Sequence, residues 1–235
     1  MSVRRAVRWI GAFVVSVAAL IGAQASGLAS AAVDSSCSDV EVVFARGTFE
    51  APGVGATGQS FVDALNARLG GGKSVNVYGV NYPASLDFQA ASGGIVDAAN
   101  KIQAIADSCA NTKIVLGGYS QGAAVAGYTT TDSVPDGIVL PDGIAGTLPP
   151  AIASHVAAVV LFGTPSDWFL NLVAHDAPPI TIGHLYSAKT LELCATGDPI
   201  CFPGGRDRAA HSSYKDNGMA DQAADFTVHA LTARV

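Results

Sequence analysis

The stretch Ile114-Val115-Leu116-Gly117-Gly118-Tyr119-Ser120-Gln121-Gly122-Ala123-Ala124-Val125-Ala126 decides the architecture of this chain. Its first four residues are an apolar, strand-like run, and its last four are small residues suited to a closely packed helix. Between them, Gly118-x-Ser120-x-Gly122 places a serine on a sharp strand-to-helix turn, the arrangement of a nucleophile elbow. The chemistry explains the spacing. A serine on a strained turn needs neighbours two residues away with almost no side chain. The helix that starts there aims its free N–H groups and positive dipole end at charge developing on a bound substrate. With 26 glycines in the chain the pentapeptide alone says little, and the flanking strand and helix patterns give it its weight.

Upstream, Val40 to Ala45 is β-branched and mostly apolar and reads as a buried strand. A glycine-bearing loop over Gly47 to Gly58 follows, and Phe61, Leu65 and Leu69 then recur at helical spacing. Val75 to Val80 is a second strand, stopped at Tyr82-Pro83, and Ile95 to Cys109 is an amphipathic helix. Downstream, Ser133 to Pro150 reads as a loop with an apolar lining, Val156 to Phe162 as a strand, and Pro165 to Pro179 as irregular. Thr190 to Leu193 is a last short strand, and Ala220 to Arg234 closes the chain as a helix. Strands alternating with helices predict an α/β fold whose parallel sheet is covered on both faces. No internal repeat or linker interrupts it.

The N-terminus reads as an export signal. Arg4, Arg5 and Arg8 form a basic start, Trp9 to Gly22 is apolar, and small residues at Ala29 to Ala32 suit cleavage, so 1–32 is expected to be removed and 33–235 to be the working domain. The adjacent Arg4 and Arg5 suggest a twin-arginine route, but their flanks fit it poorly and ordinary secretion is the reading. The apolar stretch is shorter than the roughly 18 residues of a spanning helix, so no membrane span is expected to persist. Loss of the three arginines takes the formal charge from −6 to about −9, which disfavours nucleic acid as a partner. The about 200 remaining residues suffice for one substantial core.

Cys37, Cys109, Cys194 and Cys201 all lie in the exported part, and an even count there points to disulfides rather than metal thiolates. Four cysteines allow three pairings. Cys194 and Cys201 are neighbours that close a short loop, which leaves Cys37 to pair with Cys109.

A serine nucleophile needs a base to take its proton and an acid to orient that base, in the chain order Ser, Asp or Glu, His among α/β-hydrolases. The histidines after Ser120 are His155, His175, His184, His211 and His229. His229 falls in the last helix, and His155 and His184 leave little room for an acid upstream. His175, in an irregular apolar stretch, is a weak rival. His211 follows every acid candidate and precedes the last helix, so it is the expected base. For the acid, Asp198 stands inside Cys194-Ala195-Thr196-Gly197-Asp198-Pro199-Ile200-Cys201, a loop stiffened by a proline and a short bridge. Asp207 and Glu192 lack such constraint. An oxyanion hole would use the N–H of Gln121 and one from Arg46-Gly47-Thr48, where Thr48 also offers a hydroxyl. Phe49, Leu86 and Phe202 are candidates for acyl contact, or else core residues.

Taken together, Gly118 to Gly122, the Cys194-x-x-Gly197-Asp198-Pro199-x-Cys201 loop and Ala45-Arg46-Gly47-Thr48 resemble the cutinase family. Phe44 to Thr48, Val80-Asn81-Tyr82-Pro83-Ala84 and Leu116 to Ala123 are similar to the secreted cutinase-like esterases of mycobacteria and related actinobacteria. The resemblance runs from about Cys37 to the C-terminus. It implies a small lidless α/β-hydrolase with a five-stranded parallel sheet, an exposed Ser120-Asp198-His211 triad, and an oxyanion hole using Thr48 and Gln121. The same disulfide pairings are implied. Expected substrates are carboxylic esters, from cutin polyester to short acyl esters and, in some members, phospholipids or thioesters. No metal or organic cofactor is needed, and a monomer is expected. Two departures bear on acyl-chain length: His211-Ser212-Ser213-Tyr214 is more polar than the family habit, and Ser133 to Pro150 is longer than in compact fungal cutinases.

Overall fold

A computed structural model describes residues 37–134, 148–174 and 177–233. The expected export signal at 1–32, most of the Ser133 to Pro150 loop and His175 lie outside the described residues.

Five strands form one parallel sheet in the order β2-β1-β3-β4-β5. They are β1 Val40–Ala45, β2 Val75–Gly79, β3 Lys113–Tyr119, β4 Val156–Phe162 and β5 Thr190–Leu193. Their β-branched runs are buried on both faces in the central strands, as parallel strands under helices must be. β2 is the edge strand next to β1 and is only half covered. The helices are α1 Gly55–Leu69, α2 Ser92–Ser108, α3 Gln121–Thr129, α4 Asp167–Val173, α5 His184–Ser187, α6 Arg208–His211 and α7 Met219–Thr232.

Strand alternation sorts the core into two layers. Val43, Ala45, Ile114, Leu116, Val159 and Leu161 pack with α2 and α3. Val42, Phe44, Val115, Val160 and Phe162 face the other way, onto α1 and α7. In that second layer Phe44, Phe61 and Phe162 form a ring cluster with centroids 6.2–6.3 Å apart. Emptying any one to alanine typically costs about 3–5 kcal/mol.

Two expectations are corrected. Residues expected to be irregular between Pro165 and Pro179 include α4, because Ser166 caps it by accepting a hydrogen bond from the Phe169 N–H at 3.4 Å. The helix expected from Phe61 starts six residues earlier at Gly55, where Glu50 accepts from the Ala56 N–H in place of a conventional cap.

Both disulfides form as Cys37–Cys109 and Cys194–Cys201, with sequence separations of 72 and 7. Loop entropy assigns the long bridge roughly 4 kcal/mol and the short one about 2.5 kcal/mol. The short bridge lies in the Asp198 loop. Replacing Cys37 and Cys109 by serine is therefore expected to cost more in urea-unfolding free energy than replacing Cys194 and Cys201. The second pair is expected to lose more of the ester hydrolysis that the resemblance implies than its stability loss explains. The reverse order in both assays would show that the short bridge has no positional role.

Candidate active site

The elbow is built as its spacing demands. Ser120 sits between β3 and α3 at φ 56° and ψ −119°, a conformation that side chains rarely adopt. A Cβ on Gly118 would lie 2.1 Å from the Gly122 carbonyl oxygen, and one on Gly122 would lie 2.0 Å from that of Ala45. Glycine at both positions is thus a steric requirement of the turn and of the close approach of β1 to it. The Ser120 N–H is spent on the Phe162 carbonyl at 2.8 Å, which fixes the turn to β4.

Sequence places Asp198 and His211 far from the elbow, and the fold brings all three together. The His211 Nε2 atom lies 2.9 Å from Ser120 Oγ, and His211 Nδ1 lies 2.8 Å from Asp198 Oδ2. Because the carboxylate can only accept, Nδ1 carries the proton and Nε2 is left to accept from the serine hydroxyl. Asp198 is 0% exposed. Its Oδ2 also accepts from the Tyr214 hydroxyl at 2.5 Å, and its Oδ1 accepts from the Ile200 N–H at 2.8 Å. Burial pushes its carboxyl pKa up, but the hydrogen bonds from His211, Tyr214 and Ile200 outweigh that and hold it below the ordinary carboxylate range.

Tyr214 and Tyr119 were not singled out by sequence, and each acts through another residue. Tyr214 also accepts from the Ala195 N–H at 3.1 Å, joining the acid loop to the segment after His211. Burial and the neighbouring Asp198 push its phenol well above the usual value, so it stays a donor. Tyr119 donates to the His211 carbonyl at 2.6 Å, and its ring lies 5.1 Å from the imidazole. The signal for both was proximity in sequence to the serine and histidine.

Across the elbow, the loop after β1 is held from several sides. Glu50 accepts from the Gly47 and Ala56 N–H groups, both at 2.7 Å. Buried Arg46 donates to the Glu50 carbonyl at 2.8 Å, the Val80 carbonyl at 3.2 Å and the Tyr82 carbonyl at 2.6 Å. Thr48 is half-buried on this loop and Gln121 is buried at the first turn of α3. Among the described residues, neither the Thr48 N–H nor the Gln121 N–H donates to a protein acceptor. Both N–H groups are thus free of protein acceptors among the described residues.

The rival residues stay apart. His155 precedes β4, His229 lies in α7, and His184 pairs with Asp132 at the surface at 2.7 Å. Asp207 caps α6 through the Ala209 N–H at 2.9 Å, and Glu192 is exposed on β5. The three acyl-contact candidates are not core residues: Phe49 is 74%, Leu86 66% and Phe202 40% exposed. In sequence they follow β1, β2 and β5, as Ser120 follows β3. No group of three or more potential metal ligands occurs among the described residues.

This geometry accompanies clear kinship. The family model for cutinase matches residues 36–231. Carboxylesterase Culp1 of Mycobacterium tuberculosis is 47% identical over 232 residues, covering 98% of both chains. Phospholipase Culp4 of the same organism is 47% identical over 190 residues, covering 81% of this chain and 77% of its own. Among solved structures, Trichoderma reesei cutinase in complex with a phosphonate inhibitor superposes with a TM-score of 0.60 at 34% identity, covering 84% of this chain and 78% of that one. The chain belongs to the cutinase family and is a carboxylic ester hydrolase with an α/β-hydrolase fold.

Proposed function

We propose that the protein is a secreted serine esterase in which Ser120 is the nucleophile, His211 the general base and acid, and Asp198 the residue that orients and stabilises the imidazolium. The observation that carries this reading is the unbroken hydrogen-bonded chain from Asp198 Oδ2 through His211 to Ser120 Oγ. Ser120 Oγ attacks the ester carbonyl carbon as its proton passes to His211 Nε2. The carbonyl oxygen takes the negative charge and receives the Thr48 and Gln121 N–H groups, each such donor supplying roughly 3 kcal/mol to the transition state. Collapse expels the alcohol, which takes the proton from His211. Water then repeats the sequence on the acyl-enzyme and releases the acid.

The exposed Phe49, Leu86 and Phe202 support substrates presented from bulk, from short and medium acyl esters to polyester. The basic start, apolar stretch and small residues of 1–32 support export with cleavage, and two disulfides suit an oxidising compartment. Residues 33–235 act as a monomeric enzyme. No helix among the described residues is long and apolar enough to cross a membrane.

A fluorophosphonate probe tests this directly. One adduct per chain is expected, on Ser120, with matching loss of p-nitrophenyl butyrate hydrolysis. Folded protein that hydrolyses the ester without Ser120 labelling would overturn the assignment.

A further inference from the structure

The two donors assigned to the oxyanion lie on separate elements, one on the loop after β1 and one at the start of α3. A third segment, Val80 to Ser85 at the exit of β2, makes a hydrogen bond to each side. The Phe49 N–H, next to Thr48, donates to the Ala84 carbonyl at 2.7 Å. The Gln121 side-chain Nε2 donates to the Ser85 carbonyl at 2.8 Å. Arg46 adds two donations onto Val80 and Tyr82, and the Tyr82 hydroxyl returns one to the Arg46 carbonyl. The turn that presents the two neighbouring carbonyls is strained: Ala84 is 2% exposed and holds φ 49°. Phe49 is strained too, at φ 65°.

Gln121 bears the stamp of a residue committed to this contact. It is 4% exposed, and its amide faces a carbonyl, which fixes the orientation with Nε2 toward Ser85. Its Oε1 is buried and has no partner among the described residues. A buried amide oxygen must be desolvated, a cost that a plain apolar side chain at the same position would not incur. Packing alone therefore does not account for a glutamine here.

We propose that the Gln121 side chain and the Ala84–Ser85 turn form a brace that sets the position of the Thr48 N–H relative to the Gln121 N–H. Gln121 then has two separable functions. Its backbone N–H meets the oxyanion, and its side-chain amide is a positioning group that holds that N–H in register with the opposite loop through one short segment. The inference rests on the serine-esterase reading above.

The test uses the full mature chain with kcat normalised to active sites titrated by fluorophosphonate. Gln121→Met keeps the backbone N–H and the side-chain length but cannot donate to Ser85. About a tenfold fall in kcat is expected, with KM for p-nitrophenyl butyrate within twofold. A trifluoromethyl ketone, which forms a tetrahedral anion on the serine, should bind weaker by the same factor. Gln121→Glu covers the case in which the methionine variant does not fold. Its carboxylate cannot donate to Ser85, but its protonated form can, so its activity relative to wild type at each pH should climb as pH falls. A flat ratio would show that a donor at this position does not matter to the chemistry. Unchanged kcat and ketone affinity in Gln121→Met, or a flat ratio in Gln121→Glu, would overturn the brace. If wild type fails to label at Ser120, the serine-esterase reading itself falls.

Discussion

Ser120→Ala is expected to lower kcat for p-nitrophenyl butyrate by roughly 10⁵- to 10⁶-fold while leaving the circular dichroism spectrum and urea midpoint nearly unchanged. The size follows from the division of labour in the site. Without Oγ no acyl-enzyme forms, so water must attack directly, helped only by the donors beside the elbow. Stability should hardly move, because among the described residues the hydroxyl's one side-chain partner is the His211 ring, and the turn is fixed by backbone contacts and by Gly118 and Gly122. Alanine still has to adopt the positive φ of this position, as serine does. A variant that keeps more than one part in a hundred of wild-type kcat, with contaminating esterase removed, would rule out Ser120 as the nucleophile.

The second large effect is expected for Asp198→Asn, about a 10⁴-fold fall in kcat/KM. Among the described residues, all polar partners of this side chain are donors: His211 and Tyr214 on Oδ2, Ile200 on Oδ1. A carboxylate satisfies all three, whereas an asparagine must place its NH₂ against one side. On the Oδ2 side it forces His211 Nδ1 to accept, which moves the ring proton to Nε2 and removes the base. On the Oδ1 side it meets the Ile200 N–H, and a buried donor clash strains the loop between Cys194 and Cys201. Tyr214→Phe separates orientation from charge, because it removes one donor and leaves the carboxylate. The sign follows from linkage. Asp198 titrates below its ordinary value in the folded protein, so the stability it contributes is complete above the unfolded value of about 3.9 and is lost as pH falls through the folded one. Loss of the Tyr214 donor raises the folded pKa and narrows that window. The acid-unfolding midpoint of Tyr214→Phe, followed by circular dichroism, should move to higher pH. A midpoint that stays or moves lower would show that the tyrosine does not stabilise the ionised acid.

The parts of the fold read correctly from sequence are those that one physical signal controls. The strands at Val40–Ala45 and Val156–Phe162 fall where mostly apolar, β-branched runs place them, because these central parallel strands are covered on both faces. α4 escaped because Pro165 and Pro179 frame it with turn-like residues, although Ser166 after a proline was a usable start signal. In the candidate site, the three residues that the sequence order of Ser, Asp and His picks out, Ser120, Asp198 and His211, are the ones found hydrogen-bonded to one another. Arg46, Glu50, Tyr214 and the amide of Gln121 were not legible in the sequence. Their partners are largely backbone groups of other segments, and a carbonyl or an N–H leaves no mark in the identity of the residue that carries it.

Glu50 has a consequence for anyone redesigning this enzyme. One carboxylate grips the Gly47 amide at the start of the loop and the Ala56 amide at the start of α1, and a Cβ on Gly55 would lie 2.1 Å from it. Changes anywhere from 47 to 56 share that anchor, so their effects compound rather than add. For library construction this segment is a cassette to be exchanged whole, whereas outlying Leu86 and Phe202 can be varied one at a time.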